Sequence, residues 1–216
     1  MRSEPTTSPT GLPATFDSGS LYRATRHKRQ AQKARANLLL LLAADTRTRY
    51  RAVDHIVTKL ASNLGFARHD LVIVRLALSR RTITLIVAPR RIWHRAETYR
   101  QLLLLKHLAR RISSRVILVP DEQLKKQPRL DNATAVVAAA DTNITMSQRL
   151  RVETFVLSEG GSATLGACAQ VLPEHEDPIG ALMALVHAGR LYLDLNLPIT
   201  ADSHLTSCAV VARGVQ

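Results

Sequence analysis

Asp70 heads the run Asp70-Leu71-Val72-Ile73-Val74, which is answered after a short turn by Thr82-Ile83-Thr84-Leu85-Ile86-Val87-Ala88-Pro89. Two apolar, β-branched strands, one led by an acid and one closed by a proline, present a carboxylate of the kind that, with further acids, holds a divalent metal ion. Other chemistry is thin. The eight histidines, from His27 to His204, are scattered, and no HExxH or comparably spaced metal pair occurs. Gly160-Gly161-Ser162 lacks the lysine of a phosphate-binding loop and follows no clear strand, so it reads as a turn. Ser158 and Ser162 lack the flanking glycines of a nucleophile elbow. Cys168 and Cys208 stand far apart without zinc-ligand spacing, and read as two partly buried thiols.

The elements that must position Asp70 follow from periodicity. Val53, Ile56, Val57 and Leu60 recur at helical spacing, although Arg51 to Val57 also suits a short strand; Gly65 stands where such a helix would stop. Strands over 70–78 and 82–88 then face each other across Ser79-Arg80-Arg81. Ala96 to Ile112 carries Leu102, Leu105 and Leu108 at helical spacing, and Arg115 to Pro120 is a short apolar strand. Strand, strand, helix, strand is an α/β core. Beyond it, helical patterns at 149–157, 165–172 and 179–188 precede an alternating strand at 190–195, the outline of a winged-helix-like α+β domain beginning near residue 144.

Charge bounds the partners. The chain has 216 residues, 46% of them hydrophobic, enough for one ordinary domain and a small second one, and no uncharged apolar run approaches membrane-spanning length. The longest apolar block, Leu38 to Ala44, lacks a small-residue cleavage site and lies far from Met1, so no membrane partner is expected and the protein is placed in the cytoplasm, on the nucleoid. Thirty Lys and Arg against seventeen Asp and Glu give a net charge of +13. Such an excess, mostly arginine, favours double-stranded DNA through counterion release. Aromatic residues at 4% disfavour single-strand binding by base stacking. Residues 1–20 read as a disordered tail and 21–36 as a basic arm, in which Arg23, Arg26, Lys28, Arg29, Lys33 and Arg35 crowd without an acid.

Several stretches together resemble the TnsA-type endonuclease subunit of heteromeric transposases. Val119-Pro120-Asp121-Glu122 through Pro128-Arg129-Leu130-Asp131-Asn132 looks like that family's strand end, acidic turn, short helix and PRLxN-like signature. Gly161 to Gly166 and Ala184 to Leu195 are similar to its C-terminal portion, and Asn37 to Leu41 with Asp45 to Tyr50 sits where its first helix would end. The resemblance spans about residues 30 to 205. It implies a restriction-endonuclease-like mixed sheet core flanked by helices over 37–143, followed by the winged-helix-like domain over 144–216.

It also implies a metal site that this chain mostly lacks. The family needs a helix acid, a strand acid, and a Glu or Gln two residues before a Lys on the next strand, which together hold Mg²⁺ and position the attacking water. Asp70 matches the strand acid. With Pro89 aligned on the proline that follows the lysine, Ile86 falls on the Glu/Gln position and Ala88 on the Lys, leaving a dry apolar face. The helix acid belongs near Lys33 to Ala36, where no carboxylate stands. Relocated groups, Arg90 or Arg91 for the positive charge and Asp54 or Glu97 for a carboxylate, would be needed for catalysis. Alternatively Asp70 is a cap, or the partner of Arg68 or Arg75.

The sequence therefore points to a non-catalytic DNA-binding protein without a cofactor, using the arm residues and a second patch of Arg80, Arg81, Arg90 and Arg91 for phosphate contacts. The resemblance adds transposase- or integrase-type proteins, or self-association, as partners. One alternative is a Mg²⁺-dependent endonuclease anchored on Asp70. Another is a protein adaptor that binds no DNA. Trp93 and Tyr99 are expected to pack rather than to touch DNA.

Overall fold

Residues 18–45, 49–78, 81–112 and 115–209 are described by the computed structural model. The first described element is one long helix, α1 (Ser18–Ala44), whose 27 residues span about 40 Å at 1.5 Å per residue. The arm expected at 21–36 is thus no separate segment: it is continuous with the apolar turns that follow. The physical reason is composition, since Arg, Lys, Gln and Ala are strong helix formers and no Gly or Pro interrupts the chain from Ser20 to Ala44. Of the expected tail, residues 18–20 belong to α1 and residues 1–17 lie outside the described residues. Ala34, Leu38, Leu41 and Ala44, three and four apart, are the buried stripe of α1.

Strand β1 (Arg49–Val53) leads into α2 (His55–Asn63), so the stretch that suits either strand or helix is divided between them. Asp54 makes the division: its Oδ1 accepts from the Val57 N–H at 3.2 Å and its Oδ2 from the Thr84 hydroxyl at 3.0 Å. Strands β2 (Val72–Leu78) and β3 (Arg81–Ala88) form the expected antiparallel pair, with Val72 opposite Val87 and Leu78 opposite Arg81. After β3, a short helix α3 (Arg90–His94) and the longer α4 (Ala96–Arg110) cross over to β4 (Val116–Pro120), which pairs parallel to β3. The sheet is therefore mixed, in the order β1-β2-β3-β4, and helices flank it.

Both sheet faces are covered. Val74, Leu76 and Val87 point toward α1, while Ile73, Ile86 and Ala88 lie with Leu102, Leu105 and Ala109 of α4 and Val57 of α2 in a second apolar cluster. Trp93 packs on this second side, donating its indole N–H to the Ala88 carbonyl at 3.0 Å and meeting Tyr99 with ring centroids 5.9 Å apart. Trp93 is packed, as expected, whereas Tyr99 touches it from the surface and is 37% exposed.

Past β4 a 3-10 turn, Asp121–Lys125, leads to α5 (Arg129–Ala138), α6 (Met146–Ser158), β5 (Ser162–Thr164), α7 (Leu165–Gln170), α8 (Pro178–His187), β6 (Leu191–Leu193) and β7 (His204–Ser207). Thr145 and Gln148 close a capping box on α6, and Asp177 caps α8 through the Gly180 N–H at 2.8 Å. Gly160 and Gly161, with φ of 76° and 93°, make the expected turn into β5, a conformation open to glycine at little cost. The three short strands form an antiparallel sheet in the order β5-β7-β6. Helix α8 is apolar all round, and Gly180 through Val186 are buried without a break.

No apolar seam separates the regions before and after residue 144. One cluster holds Leu38 of α1, Val87 of β3 and Val136 of α5 together with Val152, Leu182 and Leu205. Asn132, the last residue of the PRLDN stretch, is buried and donates its side-chain amide to the carbonyls of Leu195 and Leu197 at 2.9 and 2.7 Å. The stretch that looked most like a family signature therefore ties α5 to the loop between β6 and β7.

Candidate functional site

Four polar side chains from separate parts of the chain meet at one end of the sheet. Asp70 stands just before β2, Arg91 on α3 just after β3, Asp121 directly after β4, and Gln30 on the inward side of α1. They line a small cleft with His27 and His69, over an apolar floor that includes Ala34, Val72 and Val87. Strand direction explains the convergence. β2 begins where β3 and β4 end, so residues at those termini share one edge of the sheet, and α1 crosses that edge.

The electrostatics of the cleft are internally balanced. The Arg91 guanidinium makes a short ion pair with Asp70 Oδ1, both side chains being 24% exposed, while Asp70 Oδ2 accepts from the Ala67 N–H at 2.8 Å. Asp70 is thus an ion-pair partner that also closes the turn from Ala67, and its cation is Arg91, not Arg68 or Arg75. Asp121 is 2% exposed, and its Oδ2 accepts from Lys125 Nζ at 2.8 Å and from the Gln30 amide at 3.2 Å. Gln30 Oε1 in turn accepts from Arg91 Nη1 at 3.5 Å. His27, at the mouth, has a proton affinity lowered first by partial burial and then by the Arg91 guanidinium, with Arg26 and Arg95 adding to the effect and Asp70 opposing it.

The strand face beside this cleft differs from the one expected. Ile86 and Ala88, aligned above on the missing metal positions, point the other way, into the α4 side, where both are 0% exposed. Val87 lines the cleft, and Leu85 packs on the same α1 side. The correction moves the register by one residue and keeps its chemical result: Leu85 and Val87 offer no ligand either. Nor do the proposed substitutes reach the site. Both Asp54 oxygens are engaged at the start of α2, and Glu97 sits exposed in the first turn of α4, the helix on the opposite face. Among the described residues no group of three His, Cys, Asp or Glu side chains is placed to hold a metal ion. A Mg²⁺ site of the kind the resemblance implies therefore does not fit these residues, because Asp70 is neutralised by Arg91 and Asp121 by Lys125, and the strand positions beside them are apolar.

The cations divide into several groups. Arg26, Arg29 and Lys33, spaced three and four apart, lie exposed along one flank of α1, and Lys28 and Arg35 lie along the other. Among the described residues none of these five makes an ion pair with a carboxylate. Arg23 belongs to the same helix. The second patch is split: Arg80 lies outside the described residues, and Arg81 opens β3 while Arg90 and Arg91 follow its end, roughly 25 Å away at about 3.3 Å per residue. Arg90 is exposed but stands 3.6 Å from Glu122, and its Nε donates to His94 Nε2 at 3.1 Å. Arg91 is committed to the cleft. What the fold does bring together is Arg26 of the arm with Arg91 and with Arg95, whose charges all bear on His27.

Sequence reasoning missed Gln30, His27, His69, Arg95 and the burial of Asp121. The only signal for them was the acidic turn Asp121-Glu122 after an apolar strand, a place where sheet proteins gather functional groups. No family model matches the chain, and no curated protein matches it either.

Proposed function

We propose that this protein binds double-stranded DNA without cutting it, on a degenerate TnsA-like, restriction-endonuclease-like sheet followed by a winged-helix-like unit, and acts within a DNA transaction or regulatory complex. The observation that carries the reading is the exposed cation row Arg26, Arg29 and Lys33 on α1, which has no carboxylate partner among the described residues. A rigid helix holds such a row in fixed register against phosphates, at lower entropic cost than a disordered arm.

The mixed sheet between α1 and α4, and the order α6, β5, α7, α8, β6, β7 with sheet order β5-β7-β6, support the two fold comparisons. The same architecture argues against base reading by the second unit. Its third helix, α8, is buried from Gly180 to Val186 and has only His187 as a basic residue in its last turn, while residues 194–203, between β6 and β7, contain no Lys or Arg. DNA contact accordingly falls to α1, and the recognition is of phosphate rather than base.

Gel retardation of a linear duplex and a supercoiled plasmid across a salt series, in Mg²⁺, Mn²⁺ and EDTA, tests this. Retarded, uncut DNA in all three is the expected result. Each phosphate contact contributes about 0.9 to the slope of log affinity against log salt, so the triple change Arg26→Ala, Arg29→Ala, Lys33→Ala reduces that slope by about 3. Metal-dependent nicking that disappears in Asp70→Ala would establish the endonuclease alternative instead. No retention at low salt would leave the adaptor.

A further inference from the structure

Helix α1 carries cations on two flanks, and a helix that follows a single phosphate backbone would use only one of them. At about 100° per residue, Arg26, Arg29 and Lys33 fall within roughly 60° of one another, whereas Lys28 and Arg35 lie roughly 140° away around the axis. Both flanks are exposed. The ridge midway between them, formed by Thr25, Gln32 and Ala36, is exposed as well. His27, Gln30, Ala31 and Ala34 occupy the opposite side, turned toward the sheet, so the whole outer half of the helix is open from residue 25 to residue 36. That outer half contains no Asp or Glu. Past Ala36 the helix becomes covered, with Leu38 and Leu41 in the core, which limits the open part to about 18 Å at 1.5 Å per residue.

We propose that this part of α1 seats in the major groove of duplex DNA, with Arg26, Arg29 and Lys33 reaching the phosphates of one strand and Lys28 and Arg35 those of the other. The inference rests on the DNA-binding reading and adds to it the groove and the engagement of both strands. A major groove about 12 Å wide admits a helix about 10–12 Å across, and then has one backbone on either side of it. Long basic side chains on the two flanks meet the two rims, while the ridge faces the floor. The ridge suits that position, because its side chains are uncharged and none repels the phosphates as the helix enters. A helix lying along one strand would leave Lys28 and Arg35 facing solvent, and its salt dependence would not register them.

Binding of a short duplex by the full chain, followed by fluorescence anisotropy across a salt series, tests the proposal. The double variant Lys28→Ala, Arg35→Ala is expected to lower the slope of log affinity against log salt by about 2, and the change of all five cations by about 5. Methyl green, which occupies the major groove, should displace the protein, whereas netropsin, which occupies the minor groove, should not. Ala36→Glu places a carboxylate on the ridge and is expected to weaken binding about tenfold, while Ala36→Gln, similar in size and equally helix-forming, stays within about twofold. An unchanged slope in the Lys28, Arg35 variant, displacement by netropsin instead of methyl green, or equal effects of Glu and Gln at position 36 would each overturn the groove seat and leave DNA binding standing. No binding by the unchanged protein at low salt would remove the DNA-binding reading itself, and the groove seat with it.

Discussion

Asn132 shows how a polar residue can look functional and act structurally. Its buried amide spends both N–H groups on the carbonyls of Leu195 and Leu197, 63 and 65 residues away. Asn132→Ala removes both bonds and strands two carbonyls, which costs about 2–3 kcal/mol and lowers Tm by about 6 °C. DNA affinity, measured well below Tm, is expected to stay unchanged, and a selective loss of affinity would return Asn132 to the interface. Cys168 behaves similarly. It is 0% exposed and its thiol is pushed up to about 11 by burial, so it should resist a thiol reagent at pH 8 until the chain unfolds. His27 gives a sign for pH dependence. Its folded proton affinity lies below the ordinary value, so as pH falls through 6.5 the unfolded chain takes up the proton first and stability is lost. The fall in Tm between pH 7.5 and 5.5 should be smaller in His27→Gln than in the unchanged protein. Equal falls would remove His27 from the balance.

At the scale of elements, what the sequence could reveal depended on whether one face of a segment differs chemically from the other. The β2–β3 pair was legible because β-branched runs flank a turn. Its register was not. Ile86 and Val87 are 0% and 1% exposed, so alternation carries no polar mark to separate the α4 face from the α1 face, and the sequence could not show that Ile86 and Ala88 turn away from Asp70. A substitution pair checks the corrected register. Ala88→Lys puts an unpaired ammonium into the closed α4 side and should prevent stable folding, whereas Val87→Lys places it beside Asp70 and Asp121, where a folded protein with a modestly lowered Tm is expected. The opposite order of Tm values would restore the original register. Helix α1 was half legible for a related reason. Its apolar stripe from Ala34 onward is periodic, but Tyr22 to Arg35 is dominated by charge, and charge alone does not distinguish a solvated helix face from an unstructured arm. Gln30, which joins Asp121 to Arg91 in the cleft, was hidden within that basic run.

The whole molecule behaves as more than a sheet unit and a helical unit in series. A boundary near residue 144 matches the change in sequence pattern, from strands spaced around one helix to three short helices and small strands. Packing follows a different logic: α8 could not bury seven consecutive residues within its own small sheet, and α5 together with α1 supplies the remaining cover. A cut at 144 would open the shared cluster on both sides, leaving Val87 and Val136 without Val152 and Leu182, and would release the loop that Asn132 holds. Calorimetry of the full chain is therefore expected to give one transition, with calorimetric and van't Hoff enthalpies equal. Residues 1–143 expressed alone should show no cooperative unfolding. Two separable transitions, or a folded 1–143 fragment, would establish independent units and would place the cations of α1 on a body free to move relative to α8. A single transition instead ties the phosphate-facing helix to the same core as the cleft, so that a change at Arg91 or Asn132 reaches α1 through packing as well as through charge.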